Sequence, residues 1–142
     1  MRFWDASAIV PLMLDEPGSN ALLDLLERDA AIVVWWGTQV ECASAIARRE
    51  REGVLGRADA AAALGRLKTI SNSWSEVVAS DAVRNTALRL LRVHPLRAAD
   101  SLQLAAAVVS AEGDPSILPF VCLDDRLGEA AGREGFPALP AR

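Results

Sequence analysis

Apolar positions along the chain fall into two kinds of run. Short β-branched or aromatic runs bounded by turn residues read as buried strands, and longer stretches with apolar residues at helical spacing read as amphipathic helices. Phe3-Trp4 ahead of Asp5 predicts a first strand, followed at once by a helix over residues 7–14 that Pro11 interrupts early. Pro17-Gly18 turns the chain, Ser19 is placed to cap, and Leu22, Leu23, Leu25 and Leu26 give the stripe of a helix through Glu27. Residues 31–35 read as a second, buried strand bounded by Gly37. Thr38 then caps a long helix to about residue 52, ended by Gly53. A helix over residues 57–71 folds back on it as a helical hairpin. Residues 76–79 make a weak third strand, residues 81–93 a helix broken at His94-Pro95, and residues 98–112 a further helix. Gly113-Asp114-Pro115 turns the chain into a strand at 119–123, a helix over 125–134 and a short last strand at 135–139.

Strands alternating with helices predict an α/β fold. It should be a single domain over residues 1–142, with a parallel central sheet of four to five strands flanked by helices and carrying the helical hairpin. In such folds ligand sites gather outside the carboxyl ends of the strands, which directs attention to the residues just after each strand.

Composition narrows the chemistry. With 142 residues, 51% hydrophobic and 24% charged, the chain is large enough to bury a core without disulfides or a structural metal. No uncharged run exceeds 11 residues (30–40 and 101–111), against roughly 20 needed to cross a bilayer, so no membrane span is expected. Asp5 meets the N-terminal apolar segment before a secretory signal can form, which points to a cytoplasmic protein. Cys42 and Cys122 lie far apart and His94 is the one histidine, so zinc sites and histidine-driven nucleophilic triads lack raw material. The basic residues are fourteen arginines and Lys68, and arginine is the better phosphate fork. The net charge of −4 argues against holding nucleic acid by a bulk positive field, so any such contact must be local.

Carboxylates remain. Asp5 ends the first strand, Asp124 and Asp125 follow the fourth, Glu41 falls in the first turn of one helix and Asp100 near the start of another. Helix N-termini favour carboxylates there, and a lone acid in either setting is ordinarily a turn or cap residue. The neighbours of Asp5 (Trp4, Ala6), Glu41 (Val40, Cys42) and Asp100 (Ala98, Ala99, Leu102) nevertheless look buried, surroundings in which carboxylates rarely sit unpaired. Clustered acids repel, a divalent cation relieves that repulsion, and all-oxygen ligation selects Mg²⁺ or Mn²⁺. The chemistry implied is phosphodiester hydrolysis or phosphoryl transfer.

Taken in order, Asp5-Ala6-Ser7-Ala8-Ile9-Val10, Glu41 in a helix, Arg97-Ala98-Ala99-Asp100-Ser101-Leu102 and Val121-Cys122-Leu123-Asp124-Asp125-Arg126-Leu127 resemble the PIN-domain nucleases, and within them the VapC-type toxins of bacterial toxin–antitoxin pairs. The resemblance runs from residue 3 to about residue 139. It implies that Asp5, Glu41, Asp100 and Asp124 form a metal-binding and catalytic quartet, supported by Ser7 from the first loop. It further implies Mg²⁺- or Mn²⁺-dependent cleavage of single-stranded RNA, a homodimer, and inhibition by a small antitoxin protein. Cys122 stands where many members have Thr or Ser two residues before the fourth acid, which leaves Asp125 as a substitute for Asp124. The mechanism expected is in-line attack by an activated water, with Asp5, Asp100 and Asp124 as main ligands and Glu41 bound directly or through water.

Other residues carry weaker expectations. Seven positions along a helix return to within about 20° of the starting face, so Arg48 is placed to steer a phosphate beside Glu41; Arg97 and Arg126 are similar candidates for RNA contact. Trp35-Trp36-Gly37 departs from the small hydroxyl residues common in the family, reading either as core and helix packing or as a base-stacking element. Trp74 reads as a packing or dimer residue, and His94 as a helix-end partner. A receiver-type phospho-acceptor lacks its acidic pair and late lysine here, and a haloacid-type phosphatase lacks Asp-x-Asp. The alternative left standing is a catalytically inactive PIN-like module that binds RNA or protein.

Overall fold

The computed structural model describes residues 1–141; the final position of the expected domain, residue 142, lies outside the described residues. In chain order the elements are β1 (Arg2–Trp4), α1 (Ala6–Leu14), α2 (Ser19–Arg28), β2 (Ile32–Trp35), α3 (Thr38–Arg51), α4 (Arg57–Ser71), β3 (Ser75–Val77), α5 (Asp81–Val93), α6 (Ala98–Ser110), β4 (Phe120–Val121), α7 (Asp125–Arg133) and β5 (Ala138–Leu139). A short 3₁₀ turn, Pro115–Ile117, precedes β4. The α/β class, the parallel sheet and the α3–α4 hairpin agree with the pattern of the sequence.

All five strands are parallel, in the order β3-β2-β1-β4-β5. Period-two alternation sorts their side chains into two cores. Phe3, Val33, Trp35 and Phe120 face α5, α6 and α7, with Phe3 and Phe120 stacked at 5.4 Å between ring centroids. Trp4, Ile32, Val34 and Val121 face α1 to α4. The register Phe3↔Phe120 and Trp4↔Val121 keeps both faces aligned across β1 and β4. From β1 the chain departs towards β2, and from β4 towards β5. The carboxyl ends of β1 and β4 therefore border the crevice where the order of strands reverses, the usual ligand position in open parallel sheets.

Three local expectations are corrected. Pro11 does not interrupt α1: it is buried inside the helix, which continues to Leu14 because its packing compensates the missing amide. Ser19 does not cap α2, since Gly18 takes that position at φ 95° and the Ser19 hydroxyl turns back to the Pro11 carbonyl at 2.7 Å. Thr38 does not cap α3 either. Gly37 occupies the cap position without a side-chain bond, and the fully buried Thr38 turns inward. No helix among the described residues is long and apolar enough to cross a membrane.

Candidate functional site

Asp5 leaves β1 and caps α1, which fixes its direction. Its Oδ2 accepts from the Ser7 amide at 3.1 Å and the Ser7 hydroxyl at 2.5 Å, and the Cys122 thiol donates to the same oxygen at 3.6 Å. The Ser7 oxygen in turn accepts from the Leu123 amide at 3.0 Å, tying the first loop to the segment after β4. The Asp124 carbonyl lies 3.2 Å from the Cys122 sulfur and shares its one proton, so the thiol bridges the two segments that border the crevice.

Glu41 sits in the first turn of α3 and meets Gln103, three residues beyond Asp100 on α6. The Gln103 side-chain amide donates to the Glu41 carboxylate, and Thr38 Oγ1 lies 3.0 Å from the same nitrogen. Gln103 and Thr38 are both buried. Neither was singled out from the sequence. The available signal was Gln103 itself, the one polar side chain in the apolar run 102–109. An amide does not enter such a run without a partner.

Asp100 lies in the first turn of α6, half-buried, and Asp124 caps α7, its Oδ1 accepting from the Leu127 amide at 3.1 Å. Asp124 and Asp100 feel each other's charge. Asp125 is exposed at the start of α7 and borders a depression shared with Cys122, Leu139 and Pro140. Arg97 and Arg126 are exposed, and their charges reach Asp100. Arg48 is exposed two turns beyond Glu41, while its neighbour Arg49 is ion-paired with Glu16 at 2.6 Å.

The four acids form one electrostatic unit. Burial pushes the Asp5 carboxyl up to about 6; the bonds from Ser7 and Cys122 oppose this and the charge of Asp100 adds to it. Burial pushes Glu41 up to about 7, with Gln103 pulling down and Asp5 and Asp100 pushing up. Asp100 is raised by burial and then by Asp124, with Arg97 and Arg126 opposing. Burial, then the charge of Asp5, drives the Cys122 thiol far up, so it stays protonated and keeps donating. None of the four acids forms an ion pair among the described residues. As they stand, no three His, Cys, Asp or Glu side chains among the described residues are gathered closely enough to hold an ion. What the crevice offers is a donor set: oxygen-only, excess in negative charge, and held by Ser7 and Gln103.

The sequence profile of the PIN domain matches residues 2–132. The chain belongs to the PIN domain family. No curated protein matches it in sequence. Solved structures do match in fold. VapC20 of Mycobacterium tuberculosis, described as a sarcin-ricin loop cleaving toxin, superposes with a TM-score of 0.66 at 16% identity, covering 96% of each chain. PAE2754 of Pyrobaculum aerophilum gives 0.62 at 24% identity, over 91% of this chain and 78% of that one. A toxin–antitoxin complex from Klebsiella pneumoniae gives 0.59 at 14% identity, over 87% of each. At these identities the likeness is one of fold. Within this PIN domain the acidic crevice occupies the strand ends where ligands of such sheets collect.

Proposed function

We propose that this PIN domain, acting as one unit over residues 1–142, is a metal-dependent endoribonuclease that hydrolyses phosphodiester bonds in single-stranded regions of RNA, and that it is the toxin of a toxin–antitoxin pair. The observation that carries the reading is the convergence of acids from four elements: Glu41 feels the charges of Asp5 and Asp100, Asp5 feels Asp100 and Asp100 feels Asp124, with Arg97 and Arg126 opposing at Asp100. Of the fold neighbours named above, one is a toxin–antitoxin complex and another is described as a toxin that cleaves the sarcin-ricin loop, which supports the biological role.

The donor set fits Mg²⁺ or Mn²⁺. Hard carboxylate oxygens suit these ions, and neither thiol is available as a thiolate, since burial pushes Cys42 up to about 12 and Cys122 higher. Asp5, Asp100 and Asp124 would hold the ion, with Glu41 bound directly or through water. A divalent cation there supplies an activated water nucleophile and offsets charge on the phosphoryl oxygens.

The chain's own residues do the rest. Ser7 and Cys122 hold the buried Asp5 carboxylate. Gln103 keeps Glu41 turned inward, away from solvent. Arg97 and Arg126, the cations whose charges reach Asp100, are placed for nonbridging phosphate oxygens of the substrate, with Arg48 further out along α3. Asp125 supports the start of α7. His94 takes no part, because its Nε2 is bound to Glu134 at 2.8 Å.

The partners follow from the same reading: an RNA substrate, a cognate antitoxin protein that blocks the crevice, and a second copy of the chain. The test is cleavage of RNA by the purified chain with Mg²⁺ or Mn²⁺, with cut ends mapped, and growth arrest on expression that the neighbouring small open reading frame relieves. Both effects should vanish in Asp100→Ala. Undiminished metal-dependent cleavage by a folded Asp5→Asn variant overturns the reading, and a monomer in sedimentation at high micromolar concentration overturns the dimer.

A further inference from the structure

Of the four tryptophans, Trp4, Trp35 and Trp74 are buried, whereas Trp36 is 57% exposed. Leaving an indole in water forgoes the burial that stabilises the other three, and neither core of the fold uses it. The segment that carries it is built rather than loose. Trp35, the residue before it, folds its indole back against Gly37, so closely that a Cβ at Gly37 would stand 2.6 Å from Trp35 Nε1. The Trp36 amide donates to the Val77 carbonyl at 3.0 Å, and the Gly37 carbonyl accepts from the Glu41 amide at 3.1 Å. Trp36 is therefore held one residue before the turn that presents Glu41, at the carboxyl edge of β2. Val40, four positions on, and Val78, next to the Val77 that holds the Trp36 amide, are exposed as well.

Building on the nuclease reading above, we infer that Trp36 is a stacking platform for an unpaired base of the substrate strand beside the cleaved bond. The charge of the chain favours this occupant. A net charge of −4 gives RNA no bulk attraction, so affinity must come from local contacts, and one that does not depend on phosphate adds to those of the arginines. Stacking on an indole is such a contact, and it accepts only bases that are free of a duplex. The exposed apolar side chains here are also too few for protein docking: one indole and two valines fall well short of the roughly 800 Å² per partner in a standard protein interface. A rigid backbone under the indole means that little order is lost when a base settles on it.

The experiment compares the whole chain with Trp36→Ala and Trp36→Phe, the side chain being exposed and its removal harmless to folding. The probes are a short fluorescein-labelled single-stranded RNA containing the mapped cut site and the same RNA annealed to its complement, with saturating Mn²⁺. Trp36→Ala should raise KM about tenfold with kcat nearly unchanged, Trp36→Phe should recover most of the loss, and the single strand should shield one indole from iodide quenching. Normal kinetics in Trp36→Ala while the wild type cleaves overturns the platform alone. Unchanged kinetics with weakened antitoxin binding overturns it in favour of a protein anchor. Absence of cleavage or binding by the wild type removes the nuclease reading, and the platform falls with it.

Discussion

The side-chain amide of Gln103 donates to the carboxylate of Glu41 across 62 positions of sequence, joining α6 to α3 at the acidic crevice. Leucine at position 103 keeps similar volume but removes the donor, leaves Thr38 without its buried partner and releases Glu41. Gln103→Leu should melt at lower temperature, with a loss of about 1–3 kcal/mol, and should cut RNA at least about tenfold more slowly. Because Gln103 holds Glu41 down against burial, its removal moves the Glu41 carboxyl further up. The acid limb of the pH–rate profile should shift to higher pH, which a purely structural defect does not cause.

Asp5 destabilises the fold it caps. Its carboxyl titrates near 3.8 when unfolded and about 6 when folded, so between these values the folded chain keeps a proton that the unfolded chain has lost. The penalty is absent below pH 3.8, grows through the interval, and is complete above pH 6, on the order of 2–3 kcal/mol. Asp5→Asn removes it while preserving an acceptor for Ser7. Without divalent cations, the variant should melt higher than the wild type at pH 7.5, and the gap should close by about pH 4. Thermal unfolding followed by circular dichroism across this range checks both the sign and the window.

Most elements were legible because their signals are local: an apolar run, a turn residue, a helical stripe. β3 was less so. It is a sheet-edge strand with Ser75 and Glu76 exposed, so it lacks the alternation that marks a half-buried strand, and it begins one residue earlier and ends two residues earlier than expected. Glycines displaced the expected caps: Gly18 and Gly37 take the cap positions of α2 and α3, freeing Ser19 and Thr38 for bonds elsewhere. The acids were visible from their apolar neighbours, but the choice between Asp124 and Asp125 was not, since adjacent residues share one sequence context. In the structure Asp125 is exposed, whereas Asp124 is partly buried and its charge reaches Asp100. The Gln103–Glu41 pair depends on two helices meeting, which no local pattern encodes.

Glu134, just past α7, joins the end of α5 to the rest of the domain, accepting from Arg89 at 2.8 Å and from His94 at 2.8 Å. Arg89 is half-exposed and its share is screened by water, whereas His94 is buried and loses its acceptor when Glu134 is removed. Glu134→Ala should cost about 1–3 kcal/mol at pH 7, mostly through His94. The bond from Arg89, then that from His94, holds the Glu134 carboxyl below its ordinary value. Its contribution is therefore complete above pH 4.5 and disappears as pH falls through the lowered value. Denaturant unfolding of wild type and variant should converge in acid and diverge at neutral pH.

One chemical change at two glycines should have opposite signs. Gly37 has an ordinary φ of −76°, so alanine meets no backbone strain, but its Cβ would lie 2.6 Å from Trp35 Nε1 and 3.1 Å from Cδ1. The Trp35 indole is packed in the core with α5 and α6, so making room for the methyl means moving a core aromatic towards the depression it borders with Val83 and Leu102. Gly37→Ala should destabilise by about 1–3 kcal/mol and, by moving the turn that presents Glu41, reduce RNA cleavage. Gly65 lies inside α4, exposed, with nothing within 4 Å of an added Cβ. There alanine meets no obstacle and narrows the unfolded ensemble, so Gly65→Ala should stabilise by about 0.5–1 kcal/mol and leave activity unchanged. Urea unfolding of both variants decides the matter: if Gly37→Ala matches the wild type in midpoint and cleavage rate, the close packing of Trp35 on Gly37 does not shape the crevice.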